Sequence, residues 1–423
     1  MKHAHAIGAC LLALASLGFA RPEPCQDVAA GAPLQALLDA ASDGDAFCLA
    51  PGDHPGPLRV AHRVTIAGPR EAVVRANGKG STISLDAVGA ALVGISVDGC
   101  GGRFETLDAA IRIAADEVRV EGIAVTGALF GILANRASRL VIRGNEVQGD
   151  PRKALGMRGD AIRLWEVRDS LIEGNHTRDA RDLVVWYSPR NRLIGNVVER
   201  GRYGVHFMYS HENVITDNRM LGNVVGIFAM YSRHLRIERN LLARATGAAG
   251  MGFGAKESSD LLIRDNAIVD NTTCIHLDNS PLQPDEWDVF AGNDVRGCDV
   301  GVSFQGIAER NRFTDNRFAD NDVQVRIEGG GSARAAEWRG NDWSDYTGYD
   351  LDQDGVGDLP YELRSLSGDL ATRNPQLGLF RGSPAMWLVE LVGHVVPLFK
   401  PTTILVDPEP RVRTTPAGAA RAG

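Results

Sequence analysis

The middle of the chain repeats itself at a fixed distance, and that repeat restricts the fold more than any other feature. Asp182-Leu183-Val184-Val185-Trp186-Tyr187-Ser188, Gly204-Val205-His206-Phe207-Met208-Tyr209-Ser210 and Gly226-Ile227-Phe228-Ala229-Met230-Tyr231-Ser232 align without gaps at an offset of 22 residues. Each is followed by an aliphatic residue and then an asparagine: Ile194 and Asn196, Ile215 and Asn218, Ile237 and Asn240. Looser copies put Asn145, Asn175, Asn266, Asn293, Asn316 and Asn341 in the same role. Self-similarity at such a period signals a stacked architecture. The apolar runs are short and alternate with period two rather than 3.6, so each unit reads as short strands separated by Asn, Gly and Asp turns. The spacing predicts an all-β, right-handed parallel β-helix with rungs of about 22 residues, whose repeated Asn forms an amide ladder. The leucine-rich repeat is the rival, but its L-x-x-L-x-L spacing is missing. Nine or ten rungs at about 4.8 Å predict a rod of roughly 45–50 Å.

Composition agrees with this. Glycine is abundant (48 of 423 residues) and aromatic residues make up only 6%, which predicts many turns around an aliphatic core. Lys plus Arg number 45 against 53 Asp plus Glu, a net charge of −8, so there is no basic footprint for nucleic acid.

The sequence divides into five segments. Residues 1–20 read as a secretory signal peptide: a polar start with Lys2, His3 and His5, an apolar run Ile7–Phe19, and Gly18-Phe19-Ala20 as the cleavage site before Arg21. Cys10 as a lipoprotein cysteine is disfavoured, because the stretch before it is too short. Residues 21–56 read as an N-terminal cap, in which 33–42 carry apolar residues at helical spacing. Residues 57–345 hold the β-helix repeats, 346–400 an acidic loop and a C-terminal cap or docking segment, and 401–423 a flexible Pro-, Arg- and Ala-rich tail. Export permits disulfides; Cys25 with Cys48 and Cys274 with Cys298 are candidate local pairs, leaving Cys100 over.

Side chains alternate along a strand. With Val205 and Phe207 pointing in, His206 and Met208 point out. Stacking the rungs then gives an outer ladder Trp165, Trp186, Met208, Met230, beside a second column Arg163, Val184, His206, Phe228, with His276 two rungs on. This is an exposed apolar stripe containing soft donors, and exposed patches of this kind mark binding. Thioether and imidazole suit Cu(I). The copper candidates are therefore His206, Met208 and Met230, with Met251 and His276 further out. Three readings stay open: transient Cu(I) contact, protein docking without metal through Trp165, Trp186 and Phe228, or reversed parity with the methionines in the core. Tyr187, Tyr209 and Tyr231 are expected to stack as a structural ladder.

Asp350, Asp352, Asp354 and Asp358 alternate with Gly355 and Gly357 like the start of an EF-hand loop, making Ca2+ a second candidate cation, against an acidic turn that merely ends the rod. Residues 384–400 are too short and too interrupted for a membrane span. They predict an amphipathic helix ended by Pro397, with Met386, Trp387 and Phe399 as docking candidates.

The combination resembles a known family. Asp45-Ala46-Phe47-Cys48-Leu49-Ala50-Pro51-Gly52 after the helix, the Met-Tyr-Ser repeats, Gly340-Asn341-Asp342-Trp343-Ser344-Asp345-Tyr346 and the acidic run Asp350 to Tyr361 together are similar to periplasmic β-helix proteins of the NosD type. The resemblance implies a soluble periplasmic protein that supplies copper for maturation of nitrous oxide reductase. Its implied partners are an ABC-type membrane permease with its ATPase, a membrane-anchored copper chaperone, and apo nitrous oxide reductase. The rival is an exported carbohydrate-binding protein or polysaccharide lyase or epimerase. That reading is disfavoured, since the D-P-H-D signature of alginate epimerases and the paired aspartates and R-I-K run of polygalacturonases are missing. A non-enzymatic role is expected, with no catalytic residues assigned.

Overall fold

A computed structural model describes residues 21–306, 308–328, 333–365, 375–380, 383–395 and 402–412. The expected signal peptide, Phe399, the side chain of Trp387 and residues 413–423 lie outside the described residues.

The chain winds as a right-handed parallel β-helix of about 14 turns. Three parallel sheets of 14, 12 and 13 strands run along it, and successive coils add one strand to each along most of its length. At about 4.8 Å per coil the rod is about 60 Å long, longer than the repeat alone predicts. The early coils carry no corner asparagine, and insertions stretch others: Asn145 and Asn175 are bonded neighbours 30 residues apart. The coil also begins before residue 57. Gln26–Val28 and Ala46–Leu49 already pair in the first sheet, and Gly52–Pro55 starts another. The segment 21–56 is thus largely first coil, with helix α1 (Leu34–Asp39) set into it. Leu34 and Leu38 of that helix are buried in the core.

The core is the aliphatic stack of inward residues. Ile162, Leu164, Leu183, Val185, Val205, Phe207, Ile227, Ala229, Phe253 and Ala255 are all fully buried. The asparagines form one corner of the coil. Each donates its side-chain N–H to the side-chain oxygen of the next, from Asn145 through Asn175, Asn196, Asn218, Asn240, Asn266, Asn293 and Asn316 to Asn341, at 2.8–3.1 Å. Each also donates to a main-chain carbonyl, so these buried amides leave no donor unpaired. A serine ladder, Ser188 to Ser210 to Ser232 to Ser258 to Ser280, marks another corner. Glycine opens the strands because nothing larger fits. A Cβ on Gly204 would lie 2.4 Å from the carbonyl oxygen of Gly226, and one on Gly226 would lie 2.3 Å from that of Gly252.

Disulfides join Cys25 to Cys48 and Cys274 to Cys298, while Cys100 stays a thiol. Six consecutive strands of the 12-stranded sheet carry the outer stripe: β1 (Ile162–Trp165), β2 (Asp182–Trp186), β3 (Tyr203–Met208), β4 (Val225–Met230), β5 (Met251–Lys256) and β6 (Thr273–Asp278).

The far mouth is closed by β7 (Tyr361–Ser365) and β8 (Thr402–Asp407), an antiparallel pair. Residues 402–412 are therefore not part of a loose tail. Buried Asp407 ends the asparagine ladder: one carboxylate oxygen accepts from Asn341 N at 3.0 Å, Asn341 Nδ2 at 2.9 Å and Trp343 Nε1 at 3.1 Å. The Pro- and Arg-rich composition around it hides this, because a single buried aspartate has no periodic signature. Helix α2 (Pro384–Val395) lies on the excursion between β7 and β8, with Leu388 and Leu391 exposed and Met386 half-buried. The hairpin plugs this mouth through Tyr361, Leu405 and the stacking of Tyr361 on Trp343.

Candidate functional site

The register places Trp165, Trp186, Met208, Met230, Lys256 and Asp278 in one outer column. Arg163, Val184, His206, Phe228, Gly254 and His276 form the column beside it. The reversed-parity reading is excluded: Val205, Phe207, Ile227 and Ala229 are core, and Met208 and Met230 are half-buried on the outside.

His206 is the hub. It lies on the outer face yet is only 7% exposed, because its neighbours roof it. Tyr203 stacks on the imidazole at 4.5 Å between ring centres, Trp186 meets it edge-on at 5.4 Å, and Phe228 flanks it at 6.4 Å. The Trp186 Nε1–H donates to His206 Nδ1 at 3.3 Å. On the other side, His206 Nε2 faces the sulfur of Met230 at 3.3 Å. Burial pushes the His206 pKa down to about 4, opposed in part by the charge of Asp182, so the ring is neutral at ordinary pH. A nitrogen and a sulfur 3.3 Å apart have the separation of two ligands on one first-row ion. A neutral imidazole and a thioether select a soft monovalent ion over a hard one.

Of the five copper candidates, the structure brings His206 and Met230 into contact and puts Met208 between Trp186 and Met230 in the ladder. Met251 and His276 do not join them. Met251 pairs with Val225, in the column of Tyr203 rather than that of His206. His276 is three rungs from His206, and the ring of Phe228 lies over Gly254 in between, 2.4 Å from where a Cβ would stand. Lys256 and Asp278, which extend the methionine column, form an ion pair at 3.1 Å.

Of the docking candidates, Trp165 and Trp186 pack side by side, while Phe228 packs on Tyr203 and His206. The two indoles lie 5.7 Å apart, with the guanidinium of Arg163 5.1 Å from each. The tyrosines stack as expected, Tyr187 on Tyr209 at 5.4 Å and Tyr209 on Tyr231 at 4.9 Å, and the first two are more than 40% exposed.

Sequence reasoning missed the charges behind this roof. Asp160 and Asp182 are buried in successive coils, one residue out of register with each other. Arg181 bridges them, at 2.9 Å from Asp160 and 3.5 Å from Asp182, and Arg202 pairs with Asp182 at 2.5 Å. Asp182 Oδ1 also accepts from Tyr203 N at 3.1 Å, and Arg202 lies over the Tyr203 ring at 4.8 Å. This network holds the tyrosine that stacks on His206. The available signal was an Asp at or just before the start of two successive strands, with Arg181 and Arg202 one repeat apart.

In the acidic loop, carboxylate oxygens of Asp350, Asp352 and Asp354 lie within 4.8 Å of one another. Asp358 does not join them, because its carboxylate accepts from Leu351 N at 2.7 Å. Asp350 accepts from Asp354 N and Gly355 N, so backbone donors already meet part of the charge.

Comparison with known proteins places the chain. Residues 138–348 match the family model described as periplasmic copper-binding protein (NosD). A protein of Pseudomonas aeruginosa named probable ABC transporter binding protein NosD is 29% identical, covering 92% of each chain. A protein of the same name from Stutzerimonas stutzeri is 28% identical over 82% of this chain and 83% of its own. Neither is named as an enzyme. Among solved structures, the A-module of the mannuronan C-5 epimerase AlgE6 of Azotobacter vinelandii superposes with a TM-score of 0.54 at 14% identity, covering 74% of this chain and 94% of that one. A catalytic unit of an α-1,3-glucanase from Streptomyces thermodiastaticus gives 0.50 at 16%, over 78% and 69%. At such identities these two share the fold alone.

Proposed function

Because the chain is a NosD-type protein, we propose that it is the periplasmic binding component of an ABC-type permease with its ATPase, and that it takes up Cu(I) on its outer stripe. The copper comes from a membrane-anchored chaperone and is passed toward apo nitrous oxide reductase. The family description supports copper and the periplasm, and the names of the relatives support the transporter. Two disulfides fit an oxidising compartment.

One observation carries the copper assignment: a neutral, sheltered imidazole whose Nε2 faces a thioether at 3.3 Å, with a second methionine beside it in the ladder. A ligand set of one imidazole and two thioethers holds Cu(I) without stripping it of all exchange partners, as a carrier requires. In this reading His206 and Met230 hold the ion and Met208 hands it on at the open side.

The test is competition with a chromophoric Cu(I) chelator. The Met208→Ala/Met230→Ala protein is expected to lose about 100-fold in Cu(I) affinity, roughly 2.7 kcal/mol. Unchanged affinity overturns the copper assignment. Docking without metal is the second reading, favoured by the exposed Tyr187 and Tyr209 stack. It predicts that the same variant still copurifies with the permease while wild-type protein binds no Cu(I).

A further inference from the structure

The hydrogen bonds around His206 run in one direction, and this has consequences for loading the ion. An indole N–H can only donate, so Nδ1 of His206, 3.3 Å from Trp186 Nε1, is the accepting nitrogen. In a neutral imidazole the other nitrogen then carries the proton. That nitrogen is Nε2, the atom facing Met230. The chain of bonds is therefore Trp186 N–H to His206, and His206 N–H to the Met230 sulfur. The lone pair that a metal needs at Nε2 is occupied by a proton.

We propose that Trp186 is a positioning residue that keeps His206 in the closed, Nε2-protonated form, and that Cu(I) loading requires the indole to release Nδ1. This rests on the copper reading of the site. No redox step is involved. The Nε2 proton moves to Nδ1, the Trp186 N–H loses its acceptor, and the Nε2 lone pair forms the bond to Cu(I) beside the Met230 sulfur. Two N–H groups cannot face each other across 3.3 Å, so the Trp186 indole turns when the ion sits down. It is free to do so on its outer side, being only half-buried. Its other neighbours are Trp165 and the Arg163 guanidinium, contacts that slide rather than lock. Tyr203, held by Asp182, keeps the imidazole plane in place while the proton moves. A device of this kind holds the site closed until a donor partner displaces the indole.

The test compares wild type with Trp186→Phe, which keeps an aromatic ring and removes the N–H. Nitrogen-15 NMR of the metal-free proteins is expected to show His206 with the proton on Nε2 in wild type, and a mixture of tautomers in the variant. Cu(I) affinity, read by chelator competition, is expected to rise about tenfold in Trp186→Phe, the equivalent of one neutral hydrogen bond no longer broken on loading. A wild-type protein with its proton on Nδ1, or a variant that binds Cu(I) no more tightly, overturns the proposal. The NMR reading does not depend on copper, so it separates failure of the gate from failure of the site: His206→Ala with undiminished Cu(I) affinity would sink the copper reading itself, whatever the tautomer.

Discussion

Two stripes run along the same coils, and they follow opposite rules. The asparagine corner repeats one residue nine times and ends on Asp407. The outer stripe of β1 to β6 changes its kind of residue every two coils: Trp165 and Trp186, then Met208 and Met230, then Lys256 and Asp278 share one column. A buried amide must satisfy each donor and acceptor, and the simplest solution is an identical neighbour above and below. An outer position faces only its surroundings, so the backbone geometry leaves it free. Where repetition is kept the residue serves the coil, and where it is abandoned around a sheltered polar group the residue serves a site.

Substitutions in the two stripes test that contrast. Asn218→Ala removes the side chain that donates to Leu193 O, Thr216 O and Asn240 and accepts from Asn196. Denaturant unfolding is expected to show a loss of about 3–4 kcal/mol, whereas Met208→Ala on the outer stripe is expected to cost less than about 1 kcal/mol. Equal costs would remove the distinction. Asp407→Ala strands two N–H donors of Asn341 and the Trp343 indole, and about 2–3 kcal/mol is expected, with early loss of near-UV signal from Trp343.

The pH dependence tests whether His206 is as sheltered as its roof implies. Its folded pKa, about 4, lies below its unfolded value of 6.5. Between those values the unfolded chain binds the proton and the folded one does not. Stability is therefore complete above pH 6.5 and falls as pH drops to 4, by about 3 kcal/mol in all. His206→Gln is expected to flatten that limb of the stability curve.

Asp288 is a defect of the repetitive kind. Its Oδ2 and the Oδ1 of Asn311, its partner in the register, are both buried without hydrogen bonds. Burial raises the Asp288 pKa well above the ordinary value, so stability declines as pH rises above 3.8. Asp288→Asn is expected to stabilise the fold by about 1 kcal/mol at neutral pH and to remove that dependence. The smallest effect belongs to the acidic loop. Three carboxylates, two of them exposed, without Asp358 make a weak calcium ligand set, and about 1 mM Ca2+ is expected to raise the Tm by only about 1 °C.

Much of this was legible in the chain. The period of the Met-Tyr-Ser segments and the Ile-x-x-Asn spacing give the coil, the in-and-out parity and the columns that hold His206, Met208 and Met230. The number of coils was not, because the first turns are made by backbone hydrogen bonds that leave no asparagine to count. Met251 and His276 shared the outer face in sequence but not the contact. One falls in another column, and Phe228 folds over Gly254 before the other is reached.

By itself, then, the sequence determined the coil, because a strand pattern that returns every 22 residues can satisfy its inward and corner groups only by stacking on itself. The tertiary structure alone decided which outer residues meet. Tyr203 over His206, the indole of Trp186 at one ring nitrogen, Met230 at the other and Asp407 at the end of the ladder depend on rotamers and on chain ends that meet across many residues. No period encodes those contacts, since each is made once.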